Sequence, residues 1–540
     1  MRNRFISING TFSKWFIEDK GRNKTPISFA WYTKNVRIQN WCTTIRKWIS
    51  ESLTLPGQIR GMHVTNTTTW SSASYKLLTV AGTILYDQLW TNLWTIAWTW
   101  KVNFISYGRY TVILTWWTTY VYSQSWWLVT VPAQNFESSN IVWSIPQANP
   151  LIGASLTWFT FIANNVPWYR NILHISKPIT PDTPENCYDR STTTWGNNQY
   201  NDVWENRAMP SNIVWMIWNL NYLYIFCERT IEVLERNSVQ QFNSKWYLVT
   251  TPIGDWDQLA NPRSTICAGQ KVFYFTRNLE IKTLNLEPGL AYPQIGTLSD
   301  SNRHSIKWRI DRNLSRDQRD AFMIYDKKEN TIELYCKSKN SSYNDKVIVY
   351  SLYDDSFTID EWKIITHWTN DYFSWLDTVF LGGASWQVYI DDDLYHDEPN
   401  SWQIVPISFE YDTINIAPWW DPTRESMFRW YGVAWAMNTL SQIRFTSYID
   451  WKQEHDKTIR RSDIKPSELQ AINIWWPDRT PDSFEELSPF EYVADHWVIR
   501  KKWKRFRLRV RGDIVWQNFY LDTLSIHALS TWNAELSDKY

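Results

Sequence analysis

The sequence lacks the features that would place it among exported, membrane-spanning or strongly basic proteins. Its five cysteines are widely spaced and form no CxxC pair, which argues against a disulfide framework or a zinc knuckle. No stretch approaches the length of a membrane span, and the first twenty residues contain no apolar core of signal-peptide length. The 55 basic and 55 acidic side chains cancel, which removes the basic field typical of a dedicated nucleic-acid binder. We therefore expect a soluble protein that is not exported and has no membrane partner.

Glycine is also scarce, whereas tryptophan is in large excess. The 540 residues contain 16 Gly and 39 Trp, although average usage would give about 38 Gly in a chain of this length. Taken together, the two residue types occur about as often as glycine alone does in a turn-rich β protein. The excess of tryptophan is thus large enough to account for the deficit of glycine.

Many of the tryptophans stand where a turn needs glycine. Examples are the doublet Trp116-Trp117 between two strand-like runs, and Trp41, Trp256 and Trp451, each directly after Asn or Asp. Asn-Gly and Asp-Gly are the usual hairpin signals. A bulky side chain at positive φ costs ~1–2 kcal/mol, so about twenty such sites would exceed the ~5–15 kcal/mol by which a domain is stable. We predict that most Trp positions are UGA codons decoded as Gly by the organism or its phage, as in some uncultivated bacterial lineages. The alternative is a truly Trp-rich protein, such as a carbohydrate binder with stacking platforms.

Short apolar or alternating segments, separated by turn signals, follow one another along most of the chain. Their spacing of roughly 8–12 residues predicts an all-β fold, and their number favours a β-propeller. We place an amino-terminal arm at 1–59, the propeller at 60–395 and a carboxyl-terminal β-sandwich-like domain at 396–540. The polar stretch 176–211 is too long for a turn and is predicted to be an inserted loop. The segment 464–472 is predicted to be a short helix.

Several stretches carry a family resemblance when glycine is read at the Trp positions, among them the hairpin-like run LLTVAGTILYDQLWTNLWTIAWTWKVNFISYGRYTVILTWWTTYVYS and the three described next. The first, KNVRIQNWCTTIRKW, has a spaced pattern formed by Asn35, Trp41, Arg46 and Trp48. The second, within 213–242, has an F-x-E-x-T-x-E pattern formed by Phe226, Glu228, Thr230 and Glu232, with Cys227 where a glycine is expected. The third is VFLGGASWQVYIDDD, ahead of a new β domain. In this order the stretches resemble the β-propeller hub proteins of short-tailed phages, also described as packaged-DNA stabilisation or head-completion proteins.

The resemblance implies a structural subunit of the virion, assembled in the host cytoplasm, with no catalytic residue and no cofactor. Such a subunit forms a homo-oligomeric ring at the head–tail connector or tail hub and contacts the portal or adaptor ring and other tail proteins. It closes the portal, retains the packaged DNA and makes non-specific contacts with that DNA. Two alternatives stay open: a propeller-bearing tail nozzle protein, and a glycan-binding or depolymerising tail protein.

One strand near the carboxyl terminus is unusually basic. Its four arginines are Arg505, Arg507, Arg509 and Arg511, and they alternate with Phe506, Leu508 and Val510. Because side chains alternate between the two faces of a strand, the four guanidinium groups are predicted to share one face. We interpret that face as a contact for DNA phosphates or for an acidic patch on a neighbouring ring protein. The alternative is a solvated face balanced by nearby acids.

The sequence predicts neither a metal site nor an acid–base pair. The eight histidines offer no HExxH spacing, and the acidic run 391–393 is followed by no 12-residue calcium loop. That run is interpreted as a solvated turn. Glu228 and Glu232 invite comparison with a glycosidase pair, but a spacing of four across a turn does not define a shared face. Both are therefore predicted to be structural.

Overall fold

The computed structural model describes most of the strands and the turns that join them. The described residues are 5–11, 14–16, 29–39, 42–46, 48–66, 75–87, 89, 91–96, 102–107, 110–115, 119–123, 129–130, 152–156, 159–163, 171–175, 205–220, 222–235, 247–253, 258–285, 294–299, 306–353, 355–368, 379–383, 387–392, 397–400, 403–405, 407–413, 415–416, 426–437, 442–460, 470–471, 491–503, 505–514 and 519–530.

Within the described residues, six strands precede the first propeller blade along the chain. They are β1 (Phe5–Thr11), β2 (Lys14–Phe16), β3 (Phe29–Lys34), β4 (Val36–Gln39), β5 (Cys42–Ile45) and β6 (Trp48–Thr54).

The next twenty strands form five antiparallel sheets of four, in chain order. They are β7 (Ile59–Asn66), β8 (Tyr75–Ala81), β9 (Ile84–Tyr86) and β10 (Asn92–Thr95); β11 (Asn103–Tyr107), β12 (Tyr110–Leu114), β13 (Thr119–Ser123) and β14 (Val129–Thr130); β15 (Ile152–Leu156), β16 (Phe159–Ala163), β17 (Ile172–Ile175) and β18 (Glu205–Ala208); β19 (Ile213–Asn219), β20 (Tyr222–Cys227), β21 (Ile231–Glu235) and β22 (Tyr247–Ile253); and β23 (Thr265–Ala268), β24 (Lys271–Phe275), β25 (Ile281–Asn285) and β26 (Gln294–Thr297).

A helix and the last propeller strands follow. They are α1 (Lys307–Asn313), β27 (Phe322–Asp326), β28 (Thr331–Lys337), β29 (Asn344–Ser351), β30 (Ser356–Trp368), β31 (Phe380–Gly383), β32 (Gln387–Asp392), β33 (Asp397–Asn400) and β34 (Gln403–Val405). Together with β6, the strands β27 to β34 form a sheet of nine in the order β27-β28-β29-β30-β31-β32-β6-β33-β34.

These sheets are arranged as the blades of a β-propeller. The first strands of neighbouring sheets touch in sequence, β7 with β11, β11 with β15, β15 with β19, β19 with β23 and β23 with β27, and β31 returns to β7. Strand β30 joins the sixth blade, β27–β30, to a seventh, built from β31, β32, β6 and β33. The described residues thus form seven blades, which confirms the predicted all-β propeller.

The apolar core lies between adjacent blades. Alternating strand residues from one blade pack against those of the next, as expected for half-buried strands. Between the fourth and fifth blades, Phe226 and Tyr274 have ring centroids 5.4 Å apart, within a cluster that also contains Val233 and Leu284. A second cluster joins the fifth and sixth blades and includes Ile310 of α1. The helix therefore fills the gap between two blades.

The remaining strands complete two further sheets. They are β35 (Ile407–Thr413), β36 (Ser426–Met437), β37 (Gln442–Ile449), β38 (Lys452–Arg460), β39 (Gln470–Ala471), β40 (Glu491–Trp503), β41 (Phe506–Ile514) and β42 (Phe519–Ser530). One sheet has the order β2-β3-β35-β41-β37-β38, and the other has β39-β40-β36-β42-β5-β4, with β1 also paired to β42. Tyr431 of the second sheet packs on Phe506 of the first, with ring centroids 5.0 Å apart. This is the β-sandwich predicted after the propeller.

The amino-terminal residues are integrated into both units. Strands β1 to β5 belong to the sandwich sheets, and β6 pairs antiparallel with β32 in the seventh blade. The backbone N–H and C=O groups of these strands are thus hydrogen-bonded within the two units. The segment 1–59, predicted as an arm, thus supplies strands to the sandwich and closes the ring.

Three local predictions, for the inserted loop, the short helix and the acidic run, can be compared with the structure in part. Within the predicted inserted loop, Glu205–Ala208 form the outer strand of the third blade, and 176–204 lie outside the described residues. Within the predicted helix 464–472, Gln470–Ala471 pair with β40 as a strand, so the helix prediction is wrong there. Asp391 and Asp392 belong to β32 and not to a turn. Within the described residues, no helix is long and apolar enough to span a bilayer.

Candidate functional site

The basic strand predicted from the sequence is β41, in the interior of the first sandwich sheet. Its neighbours are β35 on one side and β37 on the other. Phe506, Leu508 and Val510 are fully buried against the second sheet. Arg507, Arg509 and Arg511 occupy the intervening positions and therefore share the outer face. Three of the four arginines predicted to share a face thus do so within β41, and Arg505 precedes the strand.

Acidic side chains on β35 face these arginines. Asp412 accepts hydrogen bonds from Arg507, through Nε at 2.5 Å and through Nη2. Asp412 also accepts a bond from Arg509 Nη2 at 3.2 Å. Glu410 lies 3.2 Å from Arg509 Nε and 3.0 Å from Arg511 Nη2. The arginine row is thus cross-linked to two carboxylates of its own chain.

A fourth arginine of this face, Arg444 on β37, does not come from the basic strand. It lies directly across from Arg511 in the sheet and is paired with Asp456 of β38, with Arg444 Nε 2.6 Å from Oδ1. Hydrogen bonding to Arg444 is the main reason why the pKa of Asp456 is lowered. The sequence reasoning missed Arg444 because only the sheet register brings it beside β41. On this face, four arginines thus pair with three acids of the same chain, Asp412, Glu410 and Asp456.

Exposure divides the arginines into two groups. The side chains of Arg507 and Arg509 are 12% and 23% exposed, and those of Arg511 and Arg444 are 46% and 53% exposed. Burial alone would lower the pKa of Arg509, but attraction to Asp412 and Glu410 outweighs it and raises that pKa. Arg507 and Arg509 are therefore charged, largely buried and paired with carboxylates of the same chain. Arg511 and Arg444 are the ones that an external anion reaches.

Arg505 lies just before β41 and has different surroundings. Its backbone N–H donates to Asp450 Oδ1 at 2.8 Å, and its guanidinium lies 5.7 Å from the ring centroid of Trp451. Arg507 and Arg509 similarly lie near the ring of Tyr448, at 5.2 and 5.7 Å. Such cation–π contacts orient a guanidinium without neutralising its charge.

Asn35, taken from the first resembling stretch, joins three parts of the fold. It has a φ of 55° and is buried at the end of β3. Its Nδ2 donates to Ser408 O of β35 at 2.7 Å, while its Oδ1 accepts from the N–H of Glu361 of β30 at 2.8 Å. Its backbone carbonyl accepts from the N–H of Arg46 at 3.1 Å, and Arg46 is itself buried. Asn is among the few residues that adopt this backbone conformation readily.

The residues of the second stretch lie together in one hairpin of the fourth blade. Phe226 is buried in the core between blades. Glu228 and Thr230 form the turn, where Cys227 N donates to Thr230 O at 2.8 Å and Glu228 N donates to Asn212 O at 2.8 Å. Glu232 is buried in β21, and that burial raises its pKa. These positions are occupied by turn and core residues.

A polar cleft of about 420 Å³ lies between β3 and the sixth blade. Lys34 and Lys346 both contact Glu361 there, with Lys34 Nζ 2.5 Å from Oε2. Burial would raise the pKa of Glu361, but hydrogen bonds from the two lysines lower it. Glu361 is the only carboxylate among the described residues that line the cleft. General acid–base cleavage of a glycoside by a carboxylate pair would require a second one.

Comparison with known proteins finds similarity among solved structures but not among sequences. No protein-family model matches it, and no curated protein matches it. Similar solved structures include the WD40 domain of Pan2 from Neurospora crassa, at 9% identity, covering 67% of this chain and 97% of that chain, with a TM-score of 0.34. The computationally designed protein Ika8 has 10% identity, coverages of 63% and 99% and a TM-score of 0.36. BBS1N, solved in complex with ARL6DN, has 9% identity, coverages of 64% and 97% and a TM-score of 0.37.

Proposed function

We propose that this chain is a structural subunit of a phage virion, located at the head–tail connector or tail hub. In this proposal its copies form a ring that closes the portal and retains the packaged DNA. The observation that carries it is the position of Asn35. The residue that opens the resembling pattern is the one whose side chain links the sandwich to the sixth blade.

Interlocking of the two units supports a mechanical role. The amino-terminal strands are hydrogen-bonded into both sandwich sheets, and β6 is hydrogen-bonded into the seventh blade. Separating sandwich from propeller would therefore require breaking the ladders of β-strands and not only a side-chain interface. A subunit that carries the pressure of packaged DNA benefits from such connections.

The accessible arginines supply a contact for a partner in the assembled ring. Arg444 and Arg511 lie on one sheet face and are about half exposed, and guanidinium groups bind carboxylates and phosphates with two-point geometry. An acidic patch on an adjoining ring protein is the expected partner, with packaged DNA as a further, non-specific one.

The proposal includes decoding of UGA as glycine. Asp450 and Trp451 form the two-residue turn between β37 and β38, and both have positive φ. That turn type favours Asp-Gly. Trp215 and Trp218 are different, because they lie within β19 and pack partly against the core. Other predicted glycine sites, including Trp41, Trp116, Trp117 and Trp256, lie outside the described residues.

Genetic complementation in the phage tests the proposal. Particles that lack this protein should package DNA but lose it, and the wild-type gene should restore DNA that is protected from nuclease. The double variant Arg444→Ser, Arg511→Ser should fold but restore protection poorly. The matched control is Arg277→Ser, Arg316→Ser, which removes two exposed propeller arginines and should restore protection fully.

Two results would contradict this assignment. One is that particles without the protein retain their DNA as well as the wild type does. The other is that the purified protein releases new reducing ends from host envelope polysaccharide, which would support the depolymerase alternative.

A further inference from the structure

Three carboxylates meet at the hairpin between β27 and β28 of the sixth blade. We name Asp326, Glu329 and Glu333 the hairpin triad. One carboxylate oxygen from each lies within 4.8 Å of the corresponding oxygen of the other two. Asp326 and Glu333 are 2% and 8% exposed, and the Glu329 side chain is 6% exposed. The triad is thus buried, unlike an ordinary acidic surface patch.

The spacing of the triad fits a single Ca²⁺. Ca²⁺ binds oxygen at 2.3–2.6 Å, so two oxygens on one Ca²⁺ lie no more than about 5 Å apart, and the three carboxylate oxygens lie within 4.8 Å of one another. The preference for Ca²⁺ rests on the donor set, because Mg²⁺ usually keeps several waters and is bound by one or two carboxylates, whereas Ca²⁺ accepts several protein oxygens in flexible geometry.

A buried hydroxyl beside the triad provides an independent observation. Thr331 lies directly opposite Asp326 in the sheet and two residues before Glu333 on β28, so its side chain projects from the same face. It is 4% exposed, and its Oγ1 has no hydrogen-bond partner among the described residues. A buried polar atom without a partner is costly, and a cation at the triad would use this oxygen as a ligand.

Arg37 of β4 reaches the same place from the sandwich. Its Nε lies 3.5 Å from Glu329, its Nη2 3.3 Å from Glu333 and its Nη1 2.5 Å from Asp360. One guanidinium thus contacts three carboxylates at this place, and Tyr335 also donates to Glu333 at 2.8 Å.

We propose that the hairpin triad and the Thr331 hydroxyl form a Ca²⁺ site that, together with Arg37, fastens β4 to the sixth blade. Ca²⁺ and Arg37 supply three positive charges beside the four carboxylates of Asp326, Glu329, Glu333 and Asp360. Every protein ligand is an oxygen, as a hard cation prefers. The site lies within one chain and does not depend on the proposed virion function.

Calorimetric titration of the full chain, stripped with a chelator, tests the proposal. CaCl₂ should bind at one site per chain, and saturating Ca²⁺ should raise the melting temperature by about 2 °C or more. MgCl₂ should bind at least about tenfold more weakly. The absence of both Ca²⁺ binding and a melting shift would overturn the proposal.

Three variants locate the site. Glu329→Gln removes a ligand charge and should weaken Ca²⁺ binding at least about tenfold. Thr331→Val keeps the shape but removes the hydroxyl, so it should also weaken binding. Asp317→Asn changes an exposed carboxylate paired with Arg319 and should leave binding unchanged. If Thr331→Val raises the melting temperature of the stripped protein and binds Ca²⁺ like the Asp317 variant, the hydroxyl is no ligand and the proposal fails. If Glu329→Gln does not fold, Ca²⁺ binding by Thr331→Val, compared with that of Asp317→Asn, still tests the site.

Discussion

Asp450 and Trp451 are consecutive residues with φ angles of 46° and 73°, and Ile449 pairs with Lys452 on either side of them. They thus form a two-residue hairpin turn in which both central residues are left-handed, the geometry for which Asp-Gly is favoured. A Trp side chain is strained in this conformation, whereas glycine is not.

Replacing Trp451 by Gly should therefore stabilise the protein. The relief of strain is worth ~1–2 kcal/mol, and the loss of the contact with Arg505 offsets ~0.5–1 kcal/mol of it. We expect a net gain of about 1 kcal/mol, measured by urea denaturation. The control is Trp94→Gly, an exposed site within β10 without positive φ, where glycine should cost about 0.5–1 kcal/mol. A loss of stability at position 451 equal to that at 94 would contradict the argument.

Peptide mass spectrometry of the native particle checks the decoding directly. Peptides that cover Trp116, Trp117 and Trp451 should be lighter by the mass difference between a Trp and a Gly residue at each site. Tryptophan at all three positions in the native protein would refute decoding of UGA as glycine and would remove much of the family resemblance.

Asp412 should be the most sensitive acid of the arginine face. It is 1% exposed and binds both Arg507 and Arg509. Asp412→Asn leaves the largely buried Arg507 guanidinium without its counter-charge and leaves Arg509 with Glu410 alone, and breaking a buried pair costs about 3–5 kcal/mol. Glu410→Gln, on the more exposed side of the same face, should cost about 0–1 kcal/mol. Urea midpoints that differ by less than the experimental error between the two variants would contradict this distinction.

The same contacts change the expected effect of altering the basic strand. A triple change of Arg505, Arg507 and Arg509 to Ser would be expected from the sequence alone to leave the subunit folded. The structure predicts otherwise, because removing Arg507 and Arg509 leaves the buried Asp412 unpaired. Changes at Arg444 and Arg511 are therefore a better test of assembly than the triple change, because they should leave the subunit folded.

Glu232→Gln should stabilise the protein more as the pH rises. Burial places the folded-state pKa of Glu232 above its unfolded-state value. The contribution of Glu232 to stability is therefore greatest below the unfolded-state pKa and is lost as the pH rises through the folded-state pKa. Gln has no charge to bury, and the Oε2 atom of Glu232 has no hydrogen-bond partner among the described residues. We expect the gain to be larger at about pH 8 than at about pH 5.

A neighbouring substitution controls for effects unrelated to charge. Ile231→Val in the same strand should cost about 0.5–1.5 kcal/mol equally at both pH values. A gain at Glu232→Gln that does not vary with pH would show that the carboxyl group does not titrate as argued.

The fold class can be predicted from the sequence because the pattern that indicates a strand is local. Alternation of apolar and polar residues, with turn signals between, depends only on near neighbours in the chain. The same local rule placed Arg507, Arg509 and Arg511 opposite Phe506, Leu508 and Val510. It also marked position 451 as a glycine-type turn site, and the positive φ there has the same local origin.

Tertiary structure decided the partners of these strands. Nothing near Arg507 in the chain identifies Asp412, 95 residues away, as its counter-charge. The pairing partners of the strands in the first 54 residues could likewise not be predicted, because β-strands pair through backbone groups that every sequence possesses. Arg37 meets Glu333 across 296 residues for the same reason. Local pattern thus determined the elements and their faces, and long-range pairing determined which charges meet.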